Sequence, residues 1–225
     1  MGSLSEFDSK RLLAAHGVPV SRDELVRSPE EAVAAAVAIG GDVAVKLCGE
    51  NLAHKSERGL VRLGLDNPEA VRAAGQELLG AATESDGDVG LLVSEMVSGH
   101  RELIAGVVHT PQFGAALMLG LGGVLAEAIG TVVFRLLPVG AVDCQDMIDD
   151  LGVPTLLDPQ RGEPAVNRDA LIGALLSLAE AARDDGIQAV DVNPLVIRNG
   201  LPVAVDALVV TSGPAVDAPV VTSGP

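Results

Sequence analysis

The stretch V-A-V-K-L-C-G-E-N-L-A-H-K-S-E-R-G-L-V occupies residues 43–61. The apolar run Val43-Ala44-Val45 leads straight into Lys46, which predicts a short strand over 43–47 carrying a cation. A polar loop with Asn51, His54, Lys55 and Ser56 follows. Gly59 closes it before a second strand at 60–65, where Val61, Leu63 and Leu65 alternate with Arg62 and Gly64. The whole chain has three lysines, and two of them, Lys46 and Lys55, lie in this stretch. Against a formal net charge of −16, two scarce cations beside an apolar strand point to a bound anion, read as nucleotide phosphate. A strand lysine is more often an edge residue reaching for water. The buried-looking triplet before Lys46 favours phosphate instead.

The remaining composition narrows the field. With 31 Asp and Glu against 15 Lys and Arg, the chain lacks the basic face that nucleic acid requires, and anionic membranes are disfavoured too. No uninterrupted run of 18 apolar residues occurs, and M-G-S-L-S-E-F-D is not a basic-then-apolar leader, so a cytoplasmic protein is expected. Trp and Tyr are absent and only Phe7, Phe113 and Phe134 are aromatic, which argues against a stacking platform for bases. Cys48 and Cys144 form no C-x-x-C and read as buried, inert thiols.

Outward from 43–61, start signals mark the helices. Ser5 with Asp8 has capping-box spacing ahead of a helix through Leu12–Ala15. Ser28-Pro29-Glu30-Glu31 opens a helix running to Gly40, and Asn67-Pro68-Glu69 opens a third ending near Gly80. Strands are predicted at 91–97, 102–108, 115–119 and 132–137, and further helices at 143–151 and 168–183. Helices mixed with hairpins fit an α+β architecture of two lobes, 1–97 and 98–208. The duplicated V-V-T-S-G-P at 209–214 and 220–225 reads as a low-complexity tail, 209–225.

Near the end, D-V-N-P-L-V-I (191–197) and V-A-V-D-A (203–207) flank R-N-G-L. Asn199-Gly200 is the signature of a two-residue type I′ hairpin turn. That register pairs 198 with 201 and, counting back, Asn193 with Asp206. Directly paired residues place their Cβ atoms about 4.5–5.5 Å apart, so an amide oxygen and a carboxylate could share a hard cation such as Mg²⁺. Asp191 on the same face adds negative potential. The alternative is a solvated hairpin with polar residues outward.

The chain resembles the ATP-grasp domain of the nucleoside-diphosphate-forming acyl-CoA synthetases, of the acetate–CoA ligase type, and more distantly the succinyl-CoA synthetase beta subunit. The likeness spans about residues 5–208 and rests on motifs in order. They are V-A-V-K (43–46), H-K-S (54–56), S-E-M-V (94–97), R-E (101–102), P-Q-F-G (111–114), G-L-G-G (120–123), F-R-L-L-P (134–138), R-G-E-P (161–164), D-V-N-P-L (191–195) and V-A-V-D-A (203–207). It implies an ATP-grasp fold, two α+β lobes clamping a nucleotide, and an acid–thiol ligase using ATP/ADP and Mg²⁺. Lys46 would meet the phosphates, with Lys55 and Gly59 completing the loop. Glu95 and the backbone through Val97 would lie near the adenine, and Glu102 at the ribose. Gly122 and Gly123 would line the phosphate side, and Arg135 would balance the transferring phosphoryl charge. Asn193 and Asp206 match the Mg²⁺ positions, and His54 matches a histidine that carries phosphate. An alpha subunit bearing the CoA-binding part and a phosphohistidine is the implied partner, in a hetero-oligomer. The competing readings are a non-catalytic nucleotide-binding module and another ATP-grasp carboxylate ligase. Leu60 stands where the family has a second glycine; were φ > 0 needed there, leucine would loosen the phosphate loop.

Overall fold

The computed structural model describes residues 2–49, 52, 58–123, 130–160 and 162–213. The strands are β1 (Gly2–Ser3), β2 (Asp23–Val26), β3 (Val43–Gly49), β4 (Val61–Leu65), β5 (Val89–Glu95), β6 (Arg101–Thr110), β7 (Gly114–Leu121), β8 (Val132–Leu136), β9 (Ile187–Arg198), β10 (Leu201–Ala204) and β11 (Ala207–Thr211). The helices are α1 (Glu6–Ala15), α2 (Pro29–Ile39), α3 (Pro68–Gly80), α4 (Ala141–Asp150), the single turn α5 (Pro154–Leu157) and α6 (Arg168–Ala181). All the strand ladders are antiparallel, as an α+β chain rich in hairpins requires.

The chain forms two compact units and passes from one to the other at Val97–Ser98. The first comprises 5–7 and 21–97. Its four-stranded sheet, in the order β2-β5-β3-β4, carries α2 and α3 on one face. Both helices start as their sequences require. Ser28 and Asn67 each accept the backbone N–H three residues on, and a proline fills the first helical turn where no N–H partner is needed. Alternation along the strands sends Val43, Val45, Leu47, Leu91 and Val93 into the core with Ala32, Ile39, Val71 and Leu78. Ala44, Lys46, Leu92 and Ser94 then face the other way.

Arg58 makes a two-pronged pair with Asp86, at 2.6 and 2.9 Å. Arg58, followed by the N–H of Thr83, holds the Asp86 carboxyl well below the usual carboxylate range. A depressed carboxyl contributes stability above its unfolded pKa and loses it as pH falls through the folded one. Asp86→Asn is therefore expected to lower Tm at neutral pH. The difference from wild type is expected to close in melts run progressively below about pH 4, the ordinary carboxylate value.

The second unit contains 1–4, 8–20 and 98–225. Its sheet runs β1-β11-β9-β6-β7-β8, with β10 hairpinned onto β9. α1, α4 and α6 supply Leu13, Met147, Ile148, Leu171, Leu175 and Leu178 to the core beneath one face. Two expected boundaries change. Residues 1–4 and 8–20 leave the N-terminal lobe because Gly2 and Ser3 pair with Thr211 and Val210 across the length of the chain. The tail begins later than 209, since 207–211 is a sheet strand with Val209 fully buried. The second copy of V-V-T-S-G-P lies outside the described residues. No described helix is long and apolar enough to cross a membrane.

Candidate functional site

In the first unit Lys46 sits on β3, an interior strand, with Leu92 and Val61 as its cross-strand partners. It is no edge lysine reaching for water. The residue is 7% exposed, and Nζ donates to Oε1 of Glu6 at 2.5 Å, with Glu6 itself buried. A buried ammonium needs such compensation, because desolvation alone disfavours its charged form. Glu6 was not legible as this partner: it stands 40 positions upstream.

Glu95 ends β5 opposite Val43 and lies, by alternation, on the opposite face from Lys46. Its carboxylate accepts from Arg22 Nε at 2.9 Å and from the Arg22 backbone N–H at 3.3 Å. Val97 is half-buried at the crossing between the units. His54 and Lys55 lie outside the described residues.

The phosphate-loop expectation at Leu60 needs correcting. Gly59 takes the left-handed conformation, φ 68°, whereas Leu60 does not. Leu60 is 2% exposed and packs in the core of the first unit, its carbonyl accepting from Leu47 N–H at 3.0 Å. The position asks for an apolar side chain, not for conformational freedom. Leu60→Gly is thus expected to destabilise by about 3–5 kcal/mol through cavity formation, measurable by urea unfolding. A loss below about 1 kcal/mol would mean the side chain contributes little there.

The second unit gathers most of the remaining candidates on one sheet face. On β6, Leu103, Ala105 and Val107 point into the helical core, so Glu102 points away from it. Gly122 lies hard against Glu102. It donates its N–H to the Glu102 carbonyl at 2.8 Å, and a Cβ there would sit 3.0 Å from the Glu102 carbonyl carbon. A Cβ on Gly123 would lie 3.5 Å from Glu102 Oε2. A side chain at 122 would force the Glu102 backbone to give by a few tenths of an ångström.

On the neighbouring ribbon the pairing runs 198–201, 197–202, 196–203 and 195–204, and resumes at 192–207. Asn199 (φ 52°) and Gly200 (φ 82°) both take positive φ, the requirement of a type I′ turn. The register therefore sets Asn193 opposite Asp206, and Asn193 N–H donates to the Asp206 carbonyl at 3.3 Å. Val192 and Ala207 enter the core, which leaves Asp191, Asn193 and Asp206 on the outward face with Glu102. The Asp191 carboxyl is raised by desolvation and then by the Asp206 carboxylate.

Two mutually repelling carboxylates beside an amide oxygen form an all-oxygen set that suits a hard cation. No group of three or more His, Cys, Asp or Glu suited to a metal occurs among the described residues.

Arg135 does not join this face. It pairs with Leu117, a core residue, so it points to the helix side, where its guanidinium meets Asp150 of α4 at 2.5 Å. Both cysteines are free and buried, and burial followed by Asp143 raises the Cys144 thiol to about 11.

Known proteins resemble this chain over most of its length. The family model described as an ATP-grasp domain matches residues 1–211. The beta subunit of ADP-forming acetate–CoA ligase II from Pyrococcus furiosus is 34% identical over 94% of this chain and 92% of its own length. An acetyl-coenzyme A synthetase of Candidatus Korarchaeum cryptofilum, solved with coenzyme A and Ca-AMPCP, superposes with a TM-score of 0.85 at 32% identity, covering 93% of each chain. The same enzyme with coenzyme A and Mg-AMPPCP has its phosphohistidine segment pointing towards the nucleotide-binding site, and it superposes with a TM-score of 0.79 at 33% identity over 93% of each chain. Fold, motif order and full-length similarity agree: the chain belongs to the ATP-grasp family, as a homologue of the beta subunits of ADP-forming acetate–CoA ligases.

Proposed function

We propose that this chain is the nucleotide-binding beta subunit of an ADP-forming acyl-CoA synthetase. It moves a phosphoryl group between ATP or ADP and histidine within the overall conversion acid + CoA + ATP ⇌ acyl-CoA + ADP + phosphate. The observation that carries the proposal is the ribbon register that sets Asn193 against Asp206 on the same face as Glu102.

In this reading Lys46 supplies positive charge to the phosphates, and the backbone from Glu95 to Val97 lies beside the adenine. Glu102 accepts from the ribose, and Gly122 and Gly123 keep side chains away from the phosphates. Asn193 and Asp206 hold Mg²⁺, which when bound neutralises phosphate charge. The neutral imidazole nitrogen of His54, the residue before Lys55 in sequence, accepts the γ-phosphoryl. A P–N bond forms as the bond to the ADP oxygen breaks, and ADP leaves with that electron pair. The phosphoryl then passes to a phosphohistidine on an alpha subunit. Catalysis of this kind is mostly positioning and charge neutralisation. Arg135 has no part in it, being committed to Asp150 on the other face.

Incubation with ATP radiolabelled at the γ-phosphate and Mg²⁺, with and without the cognate alpha subunit, tests the proposal. Acid-labile, base-stable label on histidine is expected. Its absence from both mixtures would overturn the proposal. The buried, ordinary conformation of Leu60 gives no support to a non-catalytic module.

A further inference from the structure

We infer that Lys10 is a positioning residue for Asp206, an inference that rests on the metal-binding reading of the Asn193–Asp206 pair. Lys10 lies on α1 within the second unit and is 2% exposed. It is the third lysine of a lysine-poor chain. An ammonium is costly to bury unless its donors are used, and this Nζ donates to the carbonyl oxygen of Val205 at 3.0 Å.

Val205 and Asp206 are the two residues between β10 and β11, outside either strand. Their backbone groups cannot rely on a regular ladder and must find individual partners. Val205 N–H donates to the Pro194 carbonyl at 3.1 Å, and the Asp206 carbonyl accepts from Asn193 at 3.3 Å. One residue earlier, Ala204 N–H donates to the Pro19 carbonyl at 2.8 Å. Lys10 takes the Val205 carbonyl, which belongs to the same rigid peptide plane as the Asp206 nitrogen. Fixing that oxygen fixes the plane before the Asp206 Cα, the Asn193 N–H holds the plane after it, and the two planes together set the direction in which the Asp206 side chain leaves the backbone. The ammonium also places positive charge one peptide away from a carboxylate that faces a second carboxylate.

The neighbouring residue provides the control. Ser9 is fully buried on the same helix, and its hydroxyl accepts from Val209 N–H at 3.0 Å. It ties α1 to β11 without touching the 205–206 peptide. If Lys10 only docked the helix, losing either side chain would have the same consequence.

The test is Mn²⁺ titration of the full chain in the presence of ADP, with free Mn²⁺ read by electron paramagnetic resonance. Lys10→Met is expected to weaken Mn²⁺ binding about tenfold, and Ser9→Ala by less than about twofold, although both lower Tm. Asp206→Asn is expected to weaken it at least as much as Lys10→Met. Equal affinities for Lys10→Met and Ser9→Ala, with Asp206→Asn still weakened, would overturn the role of Lys10 alone. Unchanged Mn²⁺ affinity in Asp206→Asn would instead overturn the metal reading beneath it. Should Lys10→Met fail to fold, Lys10→Gln, with a donor on a shorter stem, takes its place with the same two outcomes.

Discussion

Lys46→Met is expected to lower nucleotide-dependent turnover by about 10²–10³-fold, the usual cost of removing a charge that stabilises a transferring group. Methionine keeps the stem that crosses the buried face of β3 and removes only the ammonium. A single substitution has a second effect, because Glu6 is buried and loses the cation 2.5 Å away. Breaking one side of such a pair costs about 3–5 kcal/mol, enough to confuse lost activity with lost fold. The double variant Glu6→Gln/Lys46→Met removes both charges together and is expected to regain much of that stability while remaining inactive. Stability and activity therefore separate across the cycle. Recovery of turnover along with stability in the double variant would show that Lys46 serves the fold and not the phosphates.

Asp206→Asn should have the second-largest effect. The substitution keeps an oxygen of the same reach opposite Asn193 and deletes one negative charge, so packing and register survive. Divalent-cation affinity in the presence of nucleotide is expected to fall about 10- to 100-fold, and the activating Mg²⁺ concentration to rise with it. The Asp191 carboxyl, now held up partly by Asp206, should shift down towards the ordinary carboxylate value. An NMR titration of Asp191 without metal reads that shift independently of turnover. An unchanged Mg²⁺ requirement together with the expected fall at Asp191 would show that the two carboxylates are neighbours but hold no cation.

Local signals carried far in this chain. The Asn199-Gly200 turn requires positive φ at both positions, and once it forms, pleat geometry propagates the pairing to Asn193 and Asp206. Ser28-Pro29 and Asn67-Pro68 placed two helix starts correctly because capping acts within one turn. Leu60 misled for the opposite reason. A motif with one glycine missing looked like a weakened phosphate loop, yet the residue is buried in the first unit's core, which only packing reveals.

Family, α+β class, hairpin register and the scarcity of lysine were all legible from neighbouring residues or motif order. Which charges meet was settled by packing. It gave Lys46 a counter-ion from 40 residues away, put Lys10 on the peptide before Asp206, joined β1 to β11 from opposite ends of the chain, and turned Arg135 towards Asp150. Such pairings depend on which strand face is buried and on contacts between distant segments. Those are properties of the packed core as a whole, and no local stretch of sequence encodes them.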